Sequence, residues 1–216
     1  MTTLLNCLLL VVFASGLFNM TSAVAQLEPG SIAATAIGSL HIEQDGVYYV
    51  LEQMSERAHV PVGVDAIQPA KAETITLDFR GGSVAELMNL FVSKANDYRW
   101  VEKSGVINVS RVNAGVSLVD VVIDYPGASG RTRQEIWMDI KSRPEVLAWF
   151  RDSGCSEFEY LTGQEFRQHN KPITVHPGKL SLRDLLNEVT TESGSGYWAV
   201  LQSAPSESCR VSIMPW

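Results

Sequence analysis

From Thr74 to Val109 the hydrophobic pattern changes period twice, and each change marks an element. Ile75, Leu77 and Phe79 alternate with polar residues, which predicts a strand half-buried on one face. Gly81 and Gly82 turn the chain, and Ser83 with Glu86 forms an S-x-x-E capping box at a helix start. Val84, Leu87, Met88, Phe91 and Ala95 then fall on one helical face. Tyr98 to Glu102 and Val106 to Val109 read as a hairpin across Lys103, Ser104 and Gly105. The stretch therefore predicts a small sheet with a helix laid on it.

Upstream, residues 26–38 are rich in Pro, Gly, Ser and Ala and read as a flexible lead-in, with a weak first strand from Ser39 to Glu43. Asp45 is placed to cap a helix carrying Val47, Leu51, Met54 and Ala58 at helical spacing. Val60, Val62 and Val64 alternate as a strand, and Pro61 argues for a sheet edge because it cannot donate to a ladder.

Downstream, Arg111 to Gly115 reads as a linker and Val116 to Ile123 as a strand. Pro126 to Arg133 reads as a loop, Glu135 to Ile140 as a strand, and Pro144 as the first turn of a helix that ends at Gly154. Phe158 and Tyr160 alternate as a strand, and a polar loop from Thr162 to Lys171 follows. Ile173 and Val175 precede a second Ser-capped helix at Ser181, with Asp184 in the box position. A closing hairpin spans Tyr197 to Gln202 and Cys209 to Ile213.

The two halves repeat. Adding 98 takes Ile75 to Ile173, Ser83 to Ser181, Leu87 to Leu185, Asn89 to Asn187 and Trp100 to Trp198 without a gap. At an offset of 96, Leu51 meets Leu147 and Met54 meets Phe150. The expected fold class is α+β, with two tandem small βαβ-type domains at residues 39–112 and 116–216, each a small sheet packed with two helices.

The front of the chain changes the picture. Leu4 to Phe18 is apolar, and Ala23 and Ala25 form an A-x-A signature, so residues 1–25 read as a secretory signal peptide. An uncleaved anchor is the rival reading, and the run of 15 residues falls short of the ~20 that span a bilayer. Beyond it the chain keeps the whole formal charge of −7. A chain of that sign without a Lys/Arg cluster is a poor candidate for nucleic acid or for an anionic membrane surface. Cys155 and Cys209 remain, an even pair that fits either a disulfide or two buried thiols.

No chemistry-bearing constellation stands out. His41, His59, His169 and His176 have no metal-ligand spacing, although Glu165 and His169 stand four apart. Gly81 and Gly82 lack the flanking lysine or further glycines of a phosphate cradle. Asp124, Asp139, Asp152 and Glu157 do not pair for acid/base work. Trp100 and Trp198 read as packing residues, while Trp137, Trp149 and Trp216 fall outside the repeated pairs. The chain is thus expected to be no enzyme and to need no cofactor or metal.

The runs VLEQMSERAHVPVGVDA and ITLDFRGGSVAELMNLFVSKANDYRWVEKSGVINV resemble the short N-terminal domain (STN) shared by secretins and TonB-dependent outer-membrane receptors. Residues 39–111 carry the likeness well and 144–213 more loosely. The resemblance implies a periplasmic or secreted protein that binds a protein partner in the cell envelope and does not stay in the membrane after signal cleavage. No barrel or pore pattern follows in this sequence, so neither parent function carries over whole. Strand addition at an open sheet edge is the expected mode, with Val60, Val62, Val64, Val211 and Ile213 marking the candidate edges. The alternatives are a carbohydrate- or peptidoglycan-binding module using exposed tryptophans, and a thiol hydrolase using Cys155 or His176.

Overall fold

The computed structural model describes residues 30–68, 74–112, 117–157, 171–194, 196–203 and 209–215. A 3-10 turn at Ile32–Ala34 leads into β1 (Ala36–Ile37), β2 (Leu40–Asp45), α1 (Val47–Ala58) and β3 (Val62–Gln68). Then come β4 (Thr74–Phe79), β5 (Gly82–Ser83), α2 (Val84–Lys94), β6 (Tyr98–Lys103) and β7 (Val106–Arg111). A second 3-10 turn at Leu118–Asp120 opens the other half, with β8 (Val122–Tyr125), β9 (Ala128–Arg131), α3 (Arg133–Lys141), α4 (Pro144–Ser153) and β10 (Ser156–Glu157). The last elements are β11 (Ile173–Val175), β12 (Gly178–Ser181), α5 (Leu182–Ser193), β13 (Tyr197–Ser203) and β14 (Arg210–Pro215). The fold is α+β.

Strands from both halves join in one six-stranded sheet of order β10-β14-β13-β3-β7-β6. The seam is a parallel pairing of β13 on β3, in register from Tyr197↔Val62 to Ser203↔Gln68. β13 is buried on both faces because each face meets a different core. Tyr197, Ala199 and Leu201 join α1, α2, β3 and β7 in the first core, while Trp198 and Val200 join α3, α4 and α5 in the second. Short antiparallel ladders, β2 on β4 and β8 on β12, contribute Ile42, Leu77 and Ile123 to the outer sides of these cores.

The caps explain where the helices start. Ser83 Oγ accepts from the Glu86 N–H at 3.2 Å while the Glu86 carboxylate accepts from the Ser83 N–H at 2.7 Å. Ser181 Oγ accepts from the Asp184 N–H at 3.1 Å. The hairpin β6–β7 closes through Ser104 and Gly105, both at positive φ (54° and 71°), the conformation a two-residue turn requires.

Several expectations are corrected. The lead-in of residues 26–38 is in part structured: Ile32–Ala34 and Ala36–Ile37 form elements, and Ala33 is fully buried. The cap of α1 is Gly46 rather than Asp45, which ends β2. Residues 128–131 form a strand, and Glu135–Ile140 lies in a helix, α3. The physical reason is a second capping box, in which Thr132 Oγ1 accepts from the Glu135 N–H at 3.3 Å and the Glu135 carboxylate accepts from the Thr132 N–H at 2.7 Å. Of the strand expected over Val116–Ile123, Val116 lies outside the described residues, Leu118–Asp120 forms a 3-10 turn and Val122 and Ile123 begin β8. The Phe158–Tyr160 strand and the Thr162–Lys171 loop lie outside the described residues, apart from Lys171.

Candidate interaction surface

Of the residues expected to mark open edges, Val62, Val64 and Val211 have strands on both sides, whereas Ile213 has a strand on one side only among the described residues. β3 has β13 on one side and β7 on the other, so Val62 faces both Tyr197 and Ile107, and Val64 both Ala199 and Val109. Val60 precedes the strand, with its N–H donating to the Ser55 carbonyl at 3.2 Å. Pro61 stands just before the first ladder residue, where a missing N–H costs nothing, and its carbonyl accepts from Ile107 N at 2.9 Å. Val211 pairs with both Glu157 and Gln202, and Ile213 pairs with Val200 with its side chain in the second core. Cys155 and Cys209 form a disulfide, S–S 1.99 Å, at the foot of the β10–β14 pair. It is continued by the Ser156 N–H donating to the Cys209 carbonyl at 2.9 Å.

Of the two end strands of the six-stranded sheet, β10 and β6, the longer is β6. It pairs with β7 alone, and among the described residues no strand lies on its outer side. Its burial alternates, with Arg99, Val101 and Lys103 exposed and Tyr98, Trp100 and Glu102 half-buried. Val101 is 57% exposed, a large apolar side chain on an unpaired strand. The signal was present in the sequence. At the repeat offset Tyr197–Leu201 of β13 reads YWAVL, apolar on both faces as an interior strand must be, whereas Arg99–Lys103 of β6 reads RWVEK, with the charges that mark an edge.

Beside β6, on the Arg99 and Val101 face, lies an open cavity of ≈ 370 Å³. Sheet register builds its floor, since Arg99 stands opposite Ser110 and Ser110 opposite Asp65. Arg183 from α5 and Asp120 from the second 3-10 turn form the wall, and Arg111 completes the rim. Asp65 is fixed from two sides, accepting from Ser117 Oγ at 2.9 Å and facing Arg183 Nη2 at 3.4 Å. Arg183 also reaches Asp120 at 3.3 Å. Burial pushes the Asp65 carboxyl up, and the nearby Asp120 charge adds to that, against the lowering influence of Ser117 and Arg183. Lys103 is bound to Asp184 at 2.5 Å. Arg99 and Arg111 make no ion pair among the described residues.

The remaining candidates are accounted for by packing. Trp100 Nε1 donates to Asn89 Oδ1 at 3.1 Å and Trp198 Nε1 to Asn187 Oδ1 at 2.8 Å, the same bond made twice at the repeat offset. Trp198 is 1% and Trp137 6% exposed, and Trp149 packs edge-on against Phe150. His41 Nδ1 sits 2.6 Å from Asp78 and His176 Nδ1 2.6 Å from Glu188, both on the surface, while His59 ends α1 in the left-handed conformation. No cluster of metal ligands occurs among the described residues. Glu165, His169 and Trp216 lie outside them. The chain matches no protein-family model and no curated protein.

Proposed function

We propose that this chain is a non-enzymatic protein-interaction module of the cell envelope, which takes an extended segment of a partner protein onto β6. The free backbone edge of β6 beside exposed Val101 carries the reading. The mode is the one expected from sequence, moved from the Val60–Val64 and Cys209–Ile213 strands to β6, the longer of the two end strands of the sheet. The Cys155–Cys209 bridge fits an oxidising compartment, as the signal-like start of the chain does. The rival readings have less to stand on. A bridged Cys155 sulfur offers no thiolate, and the tryptophans a sugar would need are largely packed or hydrogen-bonded.

The test is a photo-crosslinking side chain at position 101 in producing cells, with the same group at the equally exposed Leu147 and Met138 as controls. A discrete adduct confined to position 101 is expected. Identical adduct patterns at all three positions would refute a dedicated edge, and recovery of the protein only from the cytoplasm would refute the envelope setting.

A further inference from the structure

We propose that the segment received by β6 is acidic, with a carboxylate opposite Arg99 that Arg99 holds at the mouth of the cavity. The proposal rests on the strand-addition reading above and names the chemistry of the partner. The two-residue turn at Ser104 and Gly105 sets the geometry. It makes Lys103↔Val106 a hydrogen-bonded pair, so Val101↔Asn108 and Arg99↔Ser110 are also hydrogen-bonded across the hairpin. Trp100 and Glu102 therefore turn their N–H and C=O groups outward, toward an incoming strand.

An antiparallel strand bonded to Trp100 and Glu102 meets Arg99 and Val101 at its non-hydrogen-bonded positions. There the Cα atoms stand about 4.5 Å apart and side chains approach most closely. Side chains at those two positions share the sheet face on which the cavity opens. The one opposite Val101 meets an apolar surface, and the one opposite Arg99 meets a cation. The pattern that fits is an acidic residue two places from an aliphatic one.

The charge inventory selects the acid. Three arginines against two aspartates surround the cavity, on a chain whose overall formal charge is −7. Arg183 is engaged by Asp65 and Asp120, and Lys103 by Asp184. Among the described residues Arg99 makes no ion pair and keeps its charge at the rim nearest the edge, while Arg111, in register with Tyr98 on the other face, adds only to the positive field. Glu102, the carboxylate on β6 itself, points to the opposite face, where Ser31 Oγ and the N–H groups of Ile32 and Ala33 donate to it.

The test uses the full chain and three capped eight-residue peptides that alternate threonine with a glutamate–valine, glutamine–valine or lysine–valine pattern, followed by fluorescence anisotropy. The glutamate peptide is expected to bind up to about fivefold more tightly than the glutamine one, the contribution of one surface pair. The Arg99→Gln/Arg111→Gln variant is expected to erase that preference, and so is high salt. N-methylation of the peptide backbone at the positions facing Trp100 and Glu102 is expected to weaken all binding. Equal binding of the three peptides that N-methylation abolishes would overturn the acidic preference while leaving strand addition standing. Glutamate-selective binding that survives N-methylation would overturn strand addition at β6. Absence of binding by all three would overturn the proposal here, the crosslink at position 101 reporting separately on the edge.

Discussion

Gly63 is where the two halves of the chain touch most closely, and replacing it with alanine should strain the seam. It lies opposite Trp198 in the β3–β13 register. A Cβ at position 63 would stand 2.2 Å from Trp198 Cε2, 2.3 Å from Cζ2 and 2.5 Å from Nε1. The indole has nowhere to go, being 1% exposed and tied through Nε1 to Asn187 Oδ1 at 2.8 Å. Overpacking of this kind costs about 1–3 kcal/mol. Moving the indole also deprives the buried Asn187 oxygen of its donor, at about 1–3 kcal/mol. Gly63→Ala should therefore lose about 2–6 kcal/mol, a large share of the ~5–15 kcal/mol that holds a typical domain folded. Urea unfolding followed by circular dichroism and tryptophan fluorescence measures it. Gly178→Ala is the control, since its Cβ would meet Leu180 Cδ2 at an ordinary 3.6 Å, and it should stay within about 0.5 kcal/mol. A loss below about 1 kcal/mol at Gly63, or an undiminished loss in a Trp198→Leu background, would refute the reasoning.

Two further perturbations address the ends of the sheet. Replacing Cys155 and Cys209 with serine opens a loop of 54 residues and should cost about 2–4 kcal/mol, read as a fall in the urea midpoint with the β10–β14 amides exchanging first. An unchanged midpoint would mean that the bridge constrains nothing. For Glu102, burial works to raise the carboxyl pKa, but hydrogen bonds from Ser31, Ala33 and Ile32 outweigh it and leave it lowered from 4.5. The stabilisation is then full above pH 4.5 and lost as the pH falls through the lowered folded value. The protection of the Ile32 and Ala33 amides, taken relative to the intrinsic exchange rate at each pH, should fall across that acid window by an amount set by about 1 kcal/mol of hydrogen bonding. In Glu102→Gln the pH dependence should vanish, and its persistence would count against the contact.

The local part of the fold was legible because short-range chemistry dictates it. The Ser83 and Ser181 caps and the positive-φ hairpin follow from residues within a few positions of one another. The misreading of Glu135–Ile140 has the same local character, since EIWMDI alternates like a strand while the Thr132–Glu135 box marks a helix start. The join between halves was not legible in this way. β3 and β13 are 135 positions apart at Val62 and Tyr197, and no local pattern records which strand a valine-rich strand will adopt as its neighbour. Pro61 pointed the wrong way because a proline at the entrance of a strand is tolerated in an interior position as well as at an edge.

The site lies where the copies differ. Matched positions such as Asn89 with Asn187 and Trp100 with Trp198 make matched contacts, and so report the requirements of folding. Unmatched positions report what one copy does and the other does not. The hairpin strand of the second half, β13, carries no charged residue and forms the seam, so that Trp198 is buried where Trp100 is half-exposed. The corresponding strand of the first half, β6, carries Arg99, Glu102 and Lys103 and is an end strand of the common sheet. One sheet built from two copies of a hairpin spends one on its own closure and presents the other. A long, ordered edge invites unwanted pairing unless its side chains select what may add, and in the proposed mode Arg99 on β6 supplies that selection by charge.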